Sequence, residues 1–100
     1  MAASKVKAVW TRTASRHLRS AYDYWSRESS LLAADTMLDR VFAAVEVLER
    51  YPEAGRGGRV SGTREFVIGP TPFLIAYRTR RRRIEIVALL HGARKWPESF

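Results

Sequence analysis

From Ile84 to Leu90 only Glu85 interrupts an apolar run of Ile84, Ile86, Val87, Ala88, Leu89 and Leu90. A strand with one wet face alternates apolar and polar residues, so a run that is apolar at both parities has to be covered on both sides. The segment from Arg83 to Leu90 therefore reads as an inner strand of a sheet, and the rest of the chain must supply its flanking strands and its cover. A chain of 100 residues has room for one hydrophobic core, so residues 1–100 are expected to form a single domain.

The flanking elements can be placed from period and punctuation. Thr63 to Ile68 and Phe73 to Thr79 read as two further strands. Gly69, Pro70, Thr71 and Pro72 separate them, and the polar stretch Thr79 to Arg82 leads into the last strand, so both connections resemble hairpins. Near the start, Val6, Ala8 and Trp10 alternate with Lys7 and Val9 as a short strand would. Leu18, Ala21, Tyr22 and Trp25 fall at i, i+3, i+4 and i+7, which predicts an amphipathic helix ending near Glu28 and capped by Thr11 or Thr13. Ser29 and Ser30 interrupt it and cap a second helix. From Leu31 to Arg50, Ala34, Met37, Leu38, Val41, Phe42, Val45 and Leu48 recur about every 3.5 residues, a stripe suited to packing on another helix. Tyr51 to Gly62 carries one Pro and four Gly without periodicity and reads as a loop.

The expected fold is thus α+β in the order β-α-α-β-β-β, a helical hairpin packed on one face of a small, mainly antiparallel sheet. Trp10 and Trp25 are expected in the core, and the opposite face of the sheet is expected to be solvated and open to a partner.

Composition removes several classes of function. With no cysteine there is no disulfide, no thiolate metal site and no Cys nucleophile. His17 and His91 are the only histidines and the acids cluster on helix surfaces, so no metal site is expected. Gly55, Gly57 and Gly58 neither follow a strand nor precede a Gly-Lys-Ser/Thr sequence, which excludes a phosphate-cradling loop, and no cofactor is expected. No apolar run reaches the roughly 18 to 20 residues of a membrane span, and Met1 to Val9 lacks a signal-peptide core; a soluble cytoplasmic protein without membrane contact is expected.

Charge is segregated along the chain. Residues 1–20 carry +5, residues 21–49 carry −4, residues 50–83 carry +7 and the remainder is neutral, for a net +8. Fifteen of the eighteen cations are Arg, whose planar fork suits phosphate and carboxylate. An anionic partner follows, either nucleic acid or an acidic protein surface, set against the plainer reading of a solvated, solubilising surface.

Four patches carry a family resemblance: Pro52-Glu53-Ala54-Gly55-Arg56, Gly62-Thr63-Arg64-Glu65-Phe66, Ile75-Ala76-Tyr77-Arg78 and Leu90-His91-Gly92-Ala93-Arg94-Lys95-Trp96-Pro97. In order and spacing the chain resembles the RelE/ParE superfamily of bacterial toxins from type II toxin–antitoxin systems, closer to the ParE branch. The resemblance implies a growth-inhibiting, plasmid-stabilising toxin held by a cognate antitoxin in a hetero-oligomer and acting, once released, on DNA gyrase or on translation.

Ribosome-dependent cleavage of mRNA would need an acid and a base for in-line attack by a 2′-hydroxyl, and cations for the phosphorane. His91 is the one titratable candidate near the end of the sheet, with Arg64, Arg78 and Arg94 as cations; its plainer role is a turn residue bonded to the backbone before Gly92. His17 reads as exposed on a helix and unable to complete a pair. The missing acid/base pair favours gyrase binding over the endonuclease. Lack of a helix with clustered base-reading side chains argues against a third reading, a non-toxic DNA-binding or regulatory module.

On the leading reading the target is gripped by Arg64, Arg78, His91, Arg94, Lys95, Trp96 and Phe100. An antitoxin would cover the groove between hairpin and sheet through Leu38, Val41 and Val45, with its acids on Arg56, Arg59 and Arg78. The plainer readings are an ion pair of Arg78 with Glu65 or Glu85, a solvated tip at Arg80 to Arg83, and Trp96 and Phe100 packed back on the core.

Overall fold

The computed structural model describes residues 6–93 and Phe100. Its elements are β1 (Lys7–Trp10), α1 (Arg12–Glu28), α2 (Leu31–Arg50), β2 (Arg56–Gly57), β3 (Arg64–Val67), β4 (Phe73–Arg80) and β5 (Arg83–His91). Each helix starts on a hydroxyl cap: Thr11 Oγ1 accepts from Ala14 N–H at 3.1 Å and Ser30 Oγ from Ala33 N–H at 2.9 Å.

The sheet runs β1-β5-β4-β3-β2, with β1 parallel to β5 and every other pair antiparallel. The α+β hairpin-on-sheet architecture is the expected one, and β5 is an inner strand. One element differs: within the stretch read as loop, Arg56 and Gly57 pair with Glu65 and Arg64 and add a fifth strand. Two residues are too few to show an alternation, so only their partner reveals them.

The apolar run of β5 is explained by a bulge. Ala76 pairs with Ala88 but Tyr77 pairs with Ile86, leaving Val87 as the extra residue. Ile84 and Ile86 face the helices, Val87 and Ala88 both face away, and Leu89 returns to the helix side. On the helix side these residues pack with Ile75 and Tyr77 against Ala14, Trp25, Ala34, Val41, Ala44, Val45 and Leu48. On the other side Ala76, Val87 and Ala88 form a second buried cluster, against which Leu90 and Phe100 pack. The far face is therefore not uniformly solvated: its centre is buried, and Phe100 lies on it.

β1 pairs only with Arg83 to Ile86, because the chain turns into α1 after Trp10. Beyond that point α1 serves the open edge of β5: Thr11 N–H donates to Ile86 O at 3.0 Å, and Leu89 N–H donates to His17 Nδ1 at 3.3 Å. The outer edge of β1 is closed by Glu49, whose main-chain carbonyl accepts from Val6 N–H and whose Oε2 accepts from Ala8 N–H, both at 3.0 Å.

Candidate functional site

The cations named from sequence sit on different faces of the sheet. Arg64 lies opposite Tyr77 in the ladder, on the helix side, and its Nη1 donates to Gly55 O at 2.9 Å. Tyr77 Oη donates to Pro52 O at 2.7 Å and accepts from Gly55 N–H at 2.9 Å. Gly55 is required there, since a Cβ would stand 2.6 Å from that hydroxyl. Arg64 and Tyr77 thus dock the Pro52–Gly55 turn on the sheet.

Arg56, Arg59 and Arg78 belong to the far face. Pairing of Arg56 with Glu65 in the β2–β3 ladder points both side chains to that side. Glu65 is only 2% exposed, and a carboxylate so buried needs partners. It has three: Arg56 Nη2 at 3.3 Å, Arg59 Nε at 3.5 Å and the Arg59 N–H at 2.6 Å. Arg59 Nη1 also donates to Gly92 O at 3.1 Å, tying this loop to the end of β5. Of the two ion pairs considered for Arg78, that with Glu65 is absent because Glu65 is occupied; that with Glu85 forms at 3.8 Å, and Arg80 reaches the same carboxylate at 3.8 Å.

His91 faces the helix side, edge-to-face on Phe73 with centroids 5.5 Å apart, and its Nδ1 accepts from Ala93 N–H at 3.2 Å. It is bonded to the turn as expected, though to the amide after Gly92. His17 departs from expectation: it is half-buried against β5, and burial, with a smaller push from Arg16, lowers its pKa below the usual 6.5. His17 and His91 line one cavity. Sequence reasoning missed this pair because 73 residues separate them in the chain; only the end of β1 at Trp10 lets α1 reach that edge.

His91, Arg64 and Arg78, the three described members of the ribonuclease set, are therefore not brought together. Arg94, Lys95 and Trp96 lie outside the described residues. Phe100 lines a small cavity with Arg78, Val87, Leu90, His17, Thr11 and Thr13. Of the apolar antitoxin candidates, Val41 and Val45 are buried under the hairpin and present no surface in this fold. A stripe about three residues per seven wide has a sheet-facing centre, and these two occupy it. Leu38 is half-buried and, with Trp10, Leu18, Tyr22 and Phe42, lines an open groove of about 740 Å³ between the helices and β1. Trp10 and Phe42 meet edge-on there at 6.4 Å, and Phe42 stays 45% exposed.

Among the described residues no group of three or more His, Asp or Glu could hold a metal ion, and no helix is long and apolar enough to cross a membrane.

Comparison with known proteins agrees with this architecture. The family described as the ParE toxin of the type II toxin–antitoxin system parDE matches residues 8–96. The Sinorhizobium fredii protein Y4kP is 35% identical, covering 95% of this chain and 97% of its own length. Toxin RelE2 of Caulobacter vibrioides is 36% identical over 88% of this chain and 97% of its own. In fold, the chain resembles a structure of the chromosomal ParDE toxin–antitoxin system from P. aeruginosa, with a TM-score of 0.80 at 23% identity, covering 89% of this chain and 98% of that one. It resembles the YoeB/ParE toxin from Agrobacterium tumefaciens less closely, with a TM-score of 0.57 at 22% identity over 85% and 96%. A family match along nearly the whole helical hairpin and sheet, joined to full-length relatives above 30% identity, places this chain in the ParE toxin family of type II toxin–antitoxin systems, within the RelE/ParE superfamily.

Proposed function

We propose that this toxin arrests growth in the cytoplasm by binding DNA gyrase, without chemistry of its own, and that a cognate antitoxin neutralises it. The observation that supports this reading is the dispersal of the ribonuclease candidates: His91 on the helix side, Arg64 on the Pro52–Gly55 turn and Arg78 paired with Glu85 across the sheet. In-line phosphoryl chemistry needs acid, base and cations around one phosphate. A binding function needs only a surface. The far face offers Arg78 beside Phe100, and the segment from Arg94 to Phe100 is assigned the grip on the target.

The antitoxin reading takes a more specific form. Its apolar anchors fill the groove of Trp10, Leu18, Tyr22, Leu38 and Phe42, and its acids meet Arg56, Arg59 and Arg78 on the other side of the sheet. One partner reaches both only by wrapping an edge, which suits an acidic segment that folds on binding. Its affinity falls with salt and on reversing these Arg charges.

The test of mechanism is a paired assay of purified protein, scoring supercoiling by gyrase and cleavage of mRNA on translating ribosomes. Inhibited supercoiling is expected, unchanged in His91→Ala, which alters stability by about 1 kcal/mol. Ribosome-dependent cleavage that is lost in His91→Ala, with gyrase untouched by the parent protein, would replace this reading with the endonuclease.

A further inference from the structure

Cations stand side by side at the end of the sheet where β1, β5 and β4 meet. Arg83 is paired with Lys7 in the parallel ladder and with Arg80 in the antiparallel one. Ala8 and Ile84, the next residues along β1 and β5, pack towards the helices, so by alternation Lys7, Arg83 and Arg80 lie on the far face. With strands about 4.8 Å apart, the three form a row about 10 Å long. Arg81 and Arg82 continue it round the turn between β4 and β5, and all five residues are exposed. Glu85 is the only acid in the three strands, and Arg78 and Arg80 already share it at 3.8 Å each. Among the described residues no carboxylate pairs with Lys7, Arg81, Arg82 or Arg83.

Two features of this end oppose folding. Like charges directly opposite in a ladder repel, and here both neighbours of Arg83 are cations. Arg82 holds φ at +63°, where glycine is relaxed and a long side chain is strained. A surface that served solubility alone would intersperse the two signs and leave that turn position to glycine. A polyanion relieves the repulsion, and strain kept in a cation at the tip is explained when that cation has a ligand.

We propose that this row and turn dock on the phosphate backbone of duplex DNA, held by charge rather than by contacts to bases. Phosphates along a nucleic-acid strand are fixed close together by covalent bonds, whereas carboxylates on a folded protein repel and disperse. An uncompensated row of cations on adjacent strands therefore matches nucleic acid better than an acidic protein surface. Four of the five cations are Arg, whose fork takes two oxygens of one phosphate. The proposal rests on the gyrase reading only in choosing DNA over RNA, since gyrase works on duplex DNA.

The test is fluorescence anisotropy of a labelled duplex of about 20 base pairs, titrated with the whole protein at about 50 to 200 mM salt without gyrase. A Kd of about 10 μM at about 100 mM salt is expected, weakening about a hundredfold across that range as about four phosphates release their counterions on binding. Arg81→Gln/Arg82→Gly/Arg83→Gln should weaken binding at least about thirtyfold and flatten the salt slope. Because Arg82→Gly relaxes the turn and the other two positions are exposed, an unimpaired melting temperature separates this loss from unfolding. Arg16→Gln/Arg19→Gln/Arg27→Gln removes the same charge from exposed positions on α1 and should change affinity less than about threefold. Equal loss in both triple variants, polyglutamate bound as tightly as the duplex, or duplex RNA bound at least about tenfold tighter would each overturn the proposal. Inhibited supercoiling without DNA binding would remove this proposal and keep the gyrase reading; DNA binding with supercoiling untouched would do the reverse.

Discussion

Tyr77→Phe removes one oxygen and nothing else from the centre of the fold. Tyr77 is wholly buried, and its hydroxyl both donates to Pro52 O and accepts from Gly55 N–H. Phenylalanine keeps the ring packing, so the loss is two hydrogen bonds that leave a carbonyl and an amide without their partner. At about 0.5 to 1.5 kcal/mol each, the pair is worth about 2 kcal/mol. For a domain of this size about 1 kcal/mol moves Tm by about 4 to 8 °C, so a fall of about 8 to 16 °C is expected in a calorimetric or circular-dichroism melt. Burial also pushes the phenol pKa above its usual 10, opposed by the Gly55 hydrogen bond and Arg64. A pKa higher in the folded than in the unfolded state contributes stability below pH 10 that is lost as pH rises through the folded value, and the variant should lack that part of the alkaline loss. Gly55→Ala perturbs the same contact from the other side, since its Cβ would stand 2.6 Å from Tyr77 Oη and 2.8 Å from Glu65 O. The double variant should therefore fall short of the sum by about 0.5 kcal/mol or more. A Tm loss under about 2 °C, with the Gly55 amide still protected from exchange, would refute the view that Tyr77 anchors this turn.

Two other perturbations address the ends of β5. The folded-state pKa of His17 is depressed, so its contribution is present above pH 6.5 and lost as pH falls through the folded value; His17→Gln, which can still accept from Leu89 N–H but cannot titrate, should flatten the melting-temperature profile below pH 6.5. At the β4–β5 tip Arg82 holds φ at +63°, a left-handed conformation that glycine adopts freely, and Arg82→Gly should raise stability by about 0.5 to 1 kcal/mol in urea unfolding, with no change in m-value.

Local chemistry determined the elements. The stripe from Ala34 to Leu48, the hydroxyl residues before each helix and the doubly apolar run of β5 each express a rule that acts within a few residues and is legible in the sequence, although only the structure selects Thr11 over Thr13 and Ser30 over Ser29 as the caps. The far-side contacts were not. Val87 and Val41 are as apolar as Phe42, yet the bulge turns Val87 to the second cluster, the sheet covers Val41, and Phe42 remains open in a groove. Glu65 could have met Arg78 on alternation alone, but the two-residue strand β2 brought Arg56 and Arg59 to it first. His17 and His91 became neighbours because β1 stops at Trp10 and leaves an edge of β5 for α1 to close. Burial, pairing and shared cavities depend on the register of strands far apart in the chain, and register is settled by packing both faces of the sheet at once, which no single stretch of sequence contains.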